Sequence, residues 1–246
     1  MLTIPADDTR AVEIVAAIQR GDVETLQRHL RDNPDLATAR VVDRGGVSRT
    51  LLHVVADWPG HFPNGARVVA LLIAAGADVN ARVIHPGSTG SPETALHWAA
   101  SSDDVAVLDA LLDGGADIEA PGAVITGGTP MADAVVFAQW RAARELLARG
   151  AATTVWQAAA LGLLDRVQAY CSTEPPPPIE EITNAFWNAC RGGQRATAEY
   201  LLARGADMNW VGHDRKTPCD VARESGDDDL LQWLRARGAR RAEELT

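Results

Sequence analysis

The sequence predicts an all-α solenoid: about seven stacked helix–turn–helix repeats with projecting finger loops. Three observations predict it. Residues 94–120, TALHWAASSDDVAVLDALLDGGADIEA, read as one complete repeat. The triplet Gly-Ala-Asp recurs at Gly76, Gly115 and Gly205. Landmarks return at a near-constant interval: Thr129 follows Thr94 by 35 residues, Gly150 follows Gly115 by 35, and Gly238 follows Gly205 by 33. Self-similarity at such a period marks units that cannot bury their apolar sides alone and must stack.

Within the complete repeat, Thr94 is a good N-cap, because its hydroxyl can accept a bond from a free amide of the first turn. Ala95–Ala100 form a short helix, and Ser101, Ser102 and Asp103 interrupt it. Val105, Leu108, Leu111 and Leu112 recur at helical spacing and predict the buried stripe of a second helix. Gly115 tolerates the left-handed conformation that a helix stop often requires.

The same grammar orders the rest of the chain. A first repeat, near 11–45, has two helices split at Gly21–Asp22, with Leu26 and Leu30 inward and Asn33–Pro34 as the stop. The second, near 50–80, starts at TLLHVVADW. The third is residues 94–120. The fourth, 129–151, starts at Thr129–Pro130. The fifth, 153–174, starts at Thr153 directly after Gly150, so no finger fits between them. The sixth, 184–209, runs from Asn184, and the seventh, 216–240, starts at KTPCDVARESGD. All seven are expected to form one domain, 1–246.

The second repeat departs from the pattern twice. Gly76 lies 26 residues after Thr50, against 21 from Thr94 to Gly115, so five extra residues separate its helices within WPGHFPNGA. From Gly76 to Thr94 is 18 residues, against 12 from Gly205 to Thr217, so the finger at 79–93 is about six residues longer. Pro86–Gly87 and Gly90–Ser91–Pro92 mark it as loop.

Composition sets the broad class. Of 246 residues 46% are hydrophobic, which supports an extended core. Net charge is −10, from 23 basic and 33 acidic side chains. That disfavours a duplex nucleic acid, whose phosphates need a basic face. MLTIPADDTR lacks the basic start and apolar core of a signal peptide, and no apolar run reaches the length of a membrane span. Cys171, Cys190 and Cys219 stand where small buried residues are wanted, so all three are expected as reduced core thiols and the compartment as cytoplasmic.

Thr94–Ala95–Leu96–His97, Thr129–Pro130, Thr217–Pro218 and the in-phase Gly-Ala-Asp triplets together resemble the ankyrin-repeat family, over nearly the whole chain. The resemblance implies L-shaped units whose fingers and first helices line a concave face. It implies a binding scaffold for a protein partner, with fingers near 43–49, 79–93, 120–128 and 209–215. It also implies that His53 and His97 tie loops to neighbouring helices, a structural role and not a metal site. No cofactor and no metal are expected, since metal-ligand spacings and phosphate-loop patterns are missing from the sequence.

Trp98 and Trp233 are expected in the core, and Trp156 and Trp187 as packing replacements for the motif histidine. Trp58 and Phe137 occupy one place at the ends of first helices that would face the groove, and Trp210 lies in the last finger. Exposed aromatics there would anchor a partner. Both expansions fall at the junction of repeats two and three. Long loops on a rigid scaffold are common functional sites. The candidate binding residues are therefore Arg49, Asp57, Trp58, Phe62, Glu93, Ser101, Ser102 and Phe137. A second reading is a small-molecule enzyme of the cyclase or dehydratase type, as occasionally found for such folds in bacterial biosynthesis. There His61 or His85 would move the proton, with Asp57 or Glu93 orienting it.

Overall fold

A computed structural model describes residues 2–87 and 92–245. Fourteen α-helices occur among these residues, and the chain divides into two compact units, 1–152 and 153–246.

The first unit contains β1 (Thr3–Pro5), α1 (Thr9–Arg20), α2 (Val23–Asp32), β2 (Arg40–Val42), β3 (Ser48–Thr50), α3 (Leu51–Ala56), α4 (Gly65–Ala74), α5 (Ala95–Ser101), α6 (Val105–Asp113), α7 (Pro130–Val136) and α8 (Trp140–Ala148). The first helices of the repeats stack in the order α1, α3, α5, α7, and the second helices in the order α2, α4, α6, α8. This is the expected solenoid: each helix pair buries its apolar side on the next pair. Leu26, Leu30, Leu52, Leu72, Leu96, Leu108, Leu111 and Leu146 lie in that shared core.

Local chemistry sets the boundaries. Asp22 caps α2 by accepting from the Thr25 amide at 3.0 Å. Thr50 and Thr94 cap α3 and α5, each in a reciprocal box with the histidine three residues on. The stripe of α6 is Val107, Leu108 and Leu111. Val105 and Leu112 are only half-buried, because Asp104 starts the helix and turns Val107 inward.

The sequence reading contained no sheet. β1 pairs parallel with β2, and β2 antiparallel with β3. The finger expected at 43–49 is the turn and outgoing strand of this hairpin. The Asp43 carboxylate accepts from the amides of Gly45 at 2.8 Å and Val47 at 3.0 Å, which closes the turn.

The second unit contains α9 (Val155–Ala160), α10 (Leu164–Cys171), α11 (Ile179–Arg191), α12 (Arg195–Leu202), α13 (Pro218–Glu224) and α14 (Asp228–Ala236). Here α9, α11 and α13 stack as first helices, with α10 against α12. Residues 149–154 join α8 to α9, a link as short as expected. Three details differ from expectation. Thr154, not Thr153, caps the fifth repeat and pairs with Gln157, so Gln157 and not Trp156 holds the motif-histidine place. Cys190 and Cys219 are buried, but Cys171, at the end of α10, is half-exposed; all three are unpaired thiols. Trp210 is half-buried, its ring edge-on to His213 at 5.7 Å.

Candidate functional site

The five-residue expansion between α3 and α4 is clamped from both sides. The Asn64 side chain donates to the Gly21 carbonyl at 2.9 Å, and a β-carbon at Gly21 would lie 2.1 Å from the Pro63 oxygen. On the other side, the His61 amide donates to Asp104 Oδ2 at 2.6 Å, and its ring Nε2 meets the Ser102 carbonyl at 3.1 Å. Asp104 is buried and caps α6 through the Val107 amide at 3.2 Å. One carboxylate thus starts a helix and holds the neighbouring loop. The loop lies against Ser102: a β-carbon at Gly60 would sit 3.0 Å from that of Ser102. Phe62 is half-buried inside it, its carbonyl accepting from Gly65.

Trp58 is the large apolar side chain this loop leaves in water, 83% exposed. Beside it, Arg49 Nη1 pairs with Asp57 Oδ2 at 2.6 Å, both half-buried. Burial raises the Asp57 carboxyl above its ordinary range, and the Arg49 charge only partly offsets that. Asp57 is therefore engaged with Arg49, and His61 with Asp104 and Ser102. The structure does not bring His61 and Asp57 together.

The longer finger is stitched to its surroundings. Ser48 bridges Ile84 and Arg82 bridges Thr94 in antiparallel pairs. The buried Arg40 guanidinium donates to Ser48 and to the Arg82 carbonyl, and Arg82 Nη1 reaches the Pro92 carbonyl at 2.8 Å. Gly90 and Ser91, expected as loop, lie outside the described residues. His85 is exposed and near enough to Glu93 to favour its charge.

Glu93 is half-buried at the base of that finger. Its Oε2 accepts from the Trp98 indole at 3.2 Å, and burial is the main force raising its carboxyl above the ordinary range. Its backbone carbonyl receives His53 Nε2 at 3.3 Å. The Thr50 amide points at His53 Nδ1, which places the proton on Nε2. Burial holds the neutral ring, with a pKa lowered to about 3 for His53 and about 4 for His97. Both histidines are structural ties, as expected.

One residue the sequence reading did not single out faces Glu93. Asp133, on α7, is 1% exposed; its carboxylate oxygens make no hydrogen bond of ordinary geometry, and the Val124 backbone amide is the one donor placed to favour its charge. Burial first, and the Glu93 charge second, raise its pKa to about 7. Asp133 stands four residues after Thr129, the column held by Val54 and Trp98 in the two preceding repeats. A charge in a column of large apolar side chains was the available signal. Phe137, at the end of α7, is 41% exposed, and the finger before α7 exposes Val124 and Ile125. Ser101 and Ser102 end α5, where Ser101 bonds the Trp98 carbonyl and its own carbonyl takes Gln139.

The site is a row of side chains along the ends of α3, α5 and α7: an ion pair and an exposed indole, then two carboxyls under a finger, then an exposed phenyl. A separate cavity of about 470 Å³ between α2 and α4 is lined by Gln27, Leu30, Arg31, Leu71, Ala74 and Ala75, and by none of the site residues.

The family model for the ankyrin repeat matches residues 48–83 and 93–123. The chain is 30% identical over 204 residues to an ankyrin repeat and KH domain-containing protein of Caenorhabditis briggsae. That alignment takes in 82% of this chain and 6% of the length of that relative. The ankyrin repeat domain of human ASB11 superposes with a TM-score of 0.52 at 19% identity, over 90% of this chain and 96% of that one.

Proposed function

Since the chain carries ankyrin repeats in an ankyrin-repeat fold, we propose that it is a binding scaffold whose concave face, at repeats two to four, recognises a protein partner. Ankyrin repeats generally serve as scaffolds for protein–protein interaction. One observation carries the assignment to this face. Trp58 and Phe137 each stand eight residues after the capping threonine of their repeat, and both are left in water. Large aromatics are costly to expose, and at interfaces they supply anchors of about 2 kcal/mol or more. The clamped loop below Trp58 fixes its backbone, which lowers the ordering cost of binding. Reduced thiols at Cys190 and Cys219, buried and unpaired, support the cytoplasm as the compartment.

The test uses a displayed library of random peptides selected on the full chain. Selected peptides should bind Trp58→Ala and Phe137→Ala at least tenfold more weakly than the wild type. Peptides that bind both variants as well as the wild type would move the binding face elsewhere.

A further inference from the structure

Resting on that reading, we propose that Asp133 and Glu93 form an acidic recess that receives one cationic side chain of the partner, an arginine or a lysine. Buried polar side chains nearly always have partners, and a buried carboxylate without one asks for an explanation. Asp133 is almost fully buried, and its oxygens have no hydrogen bond of ordinary geometry, only the weak pull of the Val124 backbone amide. The charged group that acts on it is Glu93, a second carboxylate, so the two repel once both are ionised. Arginine is plentiful elsewhere in this sequence and Lys216 is the sole lysine, so the missing counter-charge is not for want of basic residues.

The surroundings suit an organic cation. Trp98 occupies the same column one repeat earlier and donates its indole N–H to Glu93, which fixes the carboxylate. The finger ahead of α7 carries Gly122 and Gly127, both at positive φ, with Val124 and Ile125 standing in solvent between them. An aliphatic stem could lie along these two side chains while its charged head reaches the carboxyls. A guanidinium offers parallel N–H donors to carboxylate oxygens, and such charge-assisted bonds are about twice as strong as neutral ones. Among the described residues these two carboxyls have no third His, Cys, Asp or Glu to complete a metal site. Binding a cation would neutralise a repulsive pair, so the recess selects against acidic partners as well as for basic ones.

The experiment extends the same peptide selection. Enriched peptides should share one arginine or lysine. Replacing that residue with norleucine should weaken binding at least tenfold to the wild type and less than twofold to Asp133→Asn. Asp133→Asn should bind the cationic peptide at least tenfold more weakly, and Glu93→Gln several-fold more weakly; circular dichroism checks that both variants are folded. Peptides that lose binding to Trp58→Ala and Phe137→Ala but show no fixed cation, or no coupling to Asp133, overturn the recess and leave the scaffold reading standing. A selection that yields no peptides, or peptides indifferent to Trp58 and Phe137, overturns both.

Discussion

The indole N–H of Trp187 donates to the carbonyl of Lys216 at 2.9 Å. Lys216 is the residue before the capping Thr217, just as Glu93 precedes Thr94 and Gly128 precedes Thr129. His53 and His97 make the corresponding bonds to Glu93 and Gly128. The indole therefore does the work of the motif imidazole: it donates from one repeat to the backbone entering the next. Trp187 is 3% exposed, so it adds apolar burial to the tie.

Trp187→Phe should keep most of the packing and lose the donor. The orphaned Lys216 carbonyl should then cost about 1 kcal/mol or somewhat more. Trp187→His should restore a donor at the expense of packing volume. Urea unfolding of the two variants checks this, and equal stability of Trp187→Phe and wild type would remove the bond from the account.

How far the sequence spoke can be seen in these residues. The stacked helix pairs were legible because apolar spacing, capping threonines and left-handed glycines are local signals. The small sheet was not, since Thr3–Pro5 and Arg40–Val42 pair across a whole repeat and neither stretch alternates strongly. The exposure of Trp58 and Phe137 was legible from register alone. The clamp on His61 was not: it depends on Asp104, whose local role as a helix cap hid its second bond. Asp133 was missed because a single carboxylate within Met131–Val136 reads as a solvent-facing position, and only the stack shows it covered.

Gly21 and the inserted loop should be mutually dependent. A side chain at position 21 would collide with the Pro63 carbonyl and would sit at φ +66, so both space and conformation exclude it. Gly21→Ala is expected to lose about 2 kcal/mol or more, beyond the roughly 1 kcal/mol of a positive-φ glycine in open space. Gly76→Ala, at φ +101 with open space around it, is the matched control. Equal losses at the two positions, measured by thermal unfolding, would show that the loop does not press on Gly21.

His53 should set part of the acid limb of stability. Its folded pKa, about 3, lies below the ordinary value of 6.5, so the unfolded chain binds the proton more readily. The stabilisation is complete above about pH 6.5 and is lost as pH falls toward 3. His53→Gln removes the titration, and Gln157 shows that glutamine can make the same capping bond, accepting from Thr154 at 2.7 Å. The variant should lose less stability than the wild type between pH 6.5 and 4. Parallel curves over that range would count against a buried neutral imidazole.

Asp133 should act in the opposite direction. Its folded pKa, about 7, lies above the ordinary 3.8, so the folded chain holds the proton more tightly. Its favourable contribution is complete below about pH 4 and declines as pH rises to 7, where the carboxylate ionises against Glu93 in a buried setting. Glu93 is itself raised by burial, and the nearby exposed His85 eases that only slightly. Asp133→Asn keeps the shape and cannot ionise. Its stability relative to wild type should be flat below pH 4, climb between pH 4 and 7, and level off above. Each pH unit in that window contributes about 1.4 kcal/mol, which sets a ceiling of about 4 kcal/mol. Urea unfolding at several pH values from 4 to 8 measures the climb. A difference independent of pH would mean that Asp133 ionises as it would in water, and that the free chain leaves no uncompensated carboxylate for a partner's cation to neutralise.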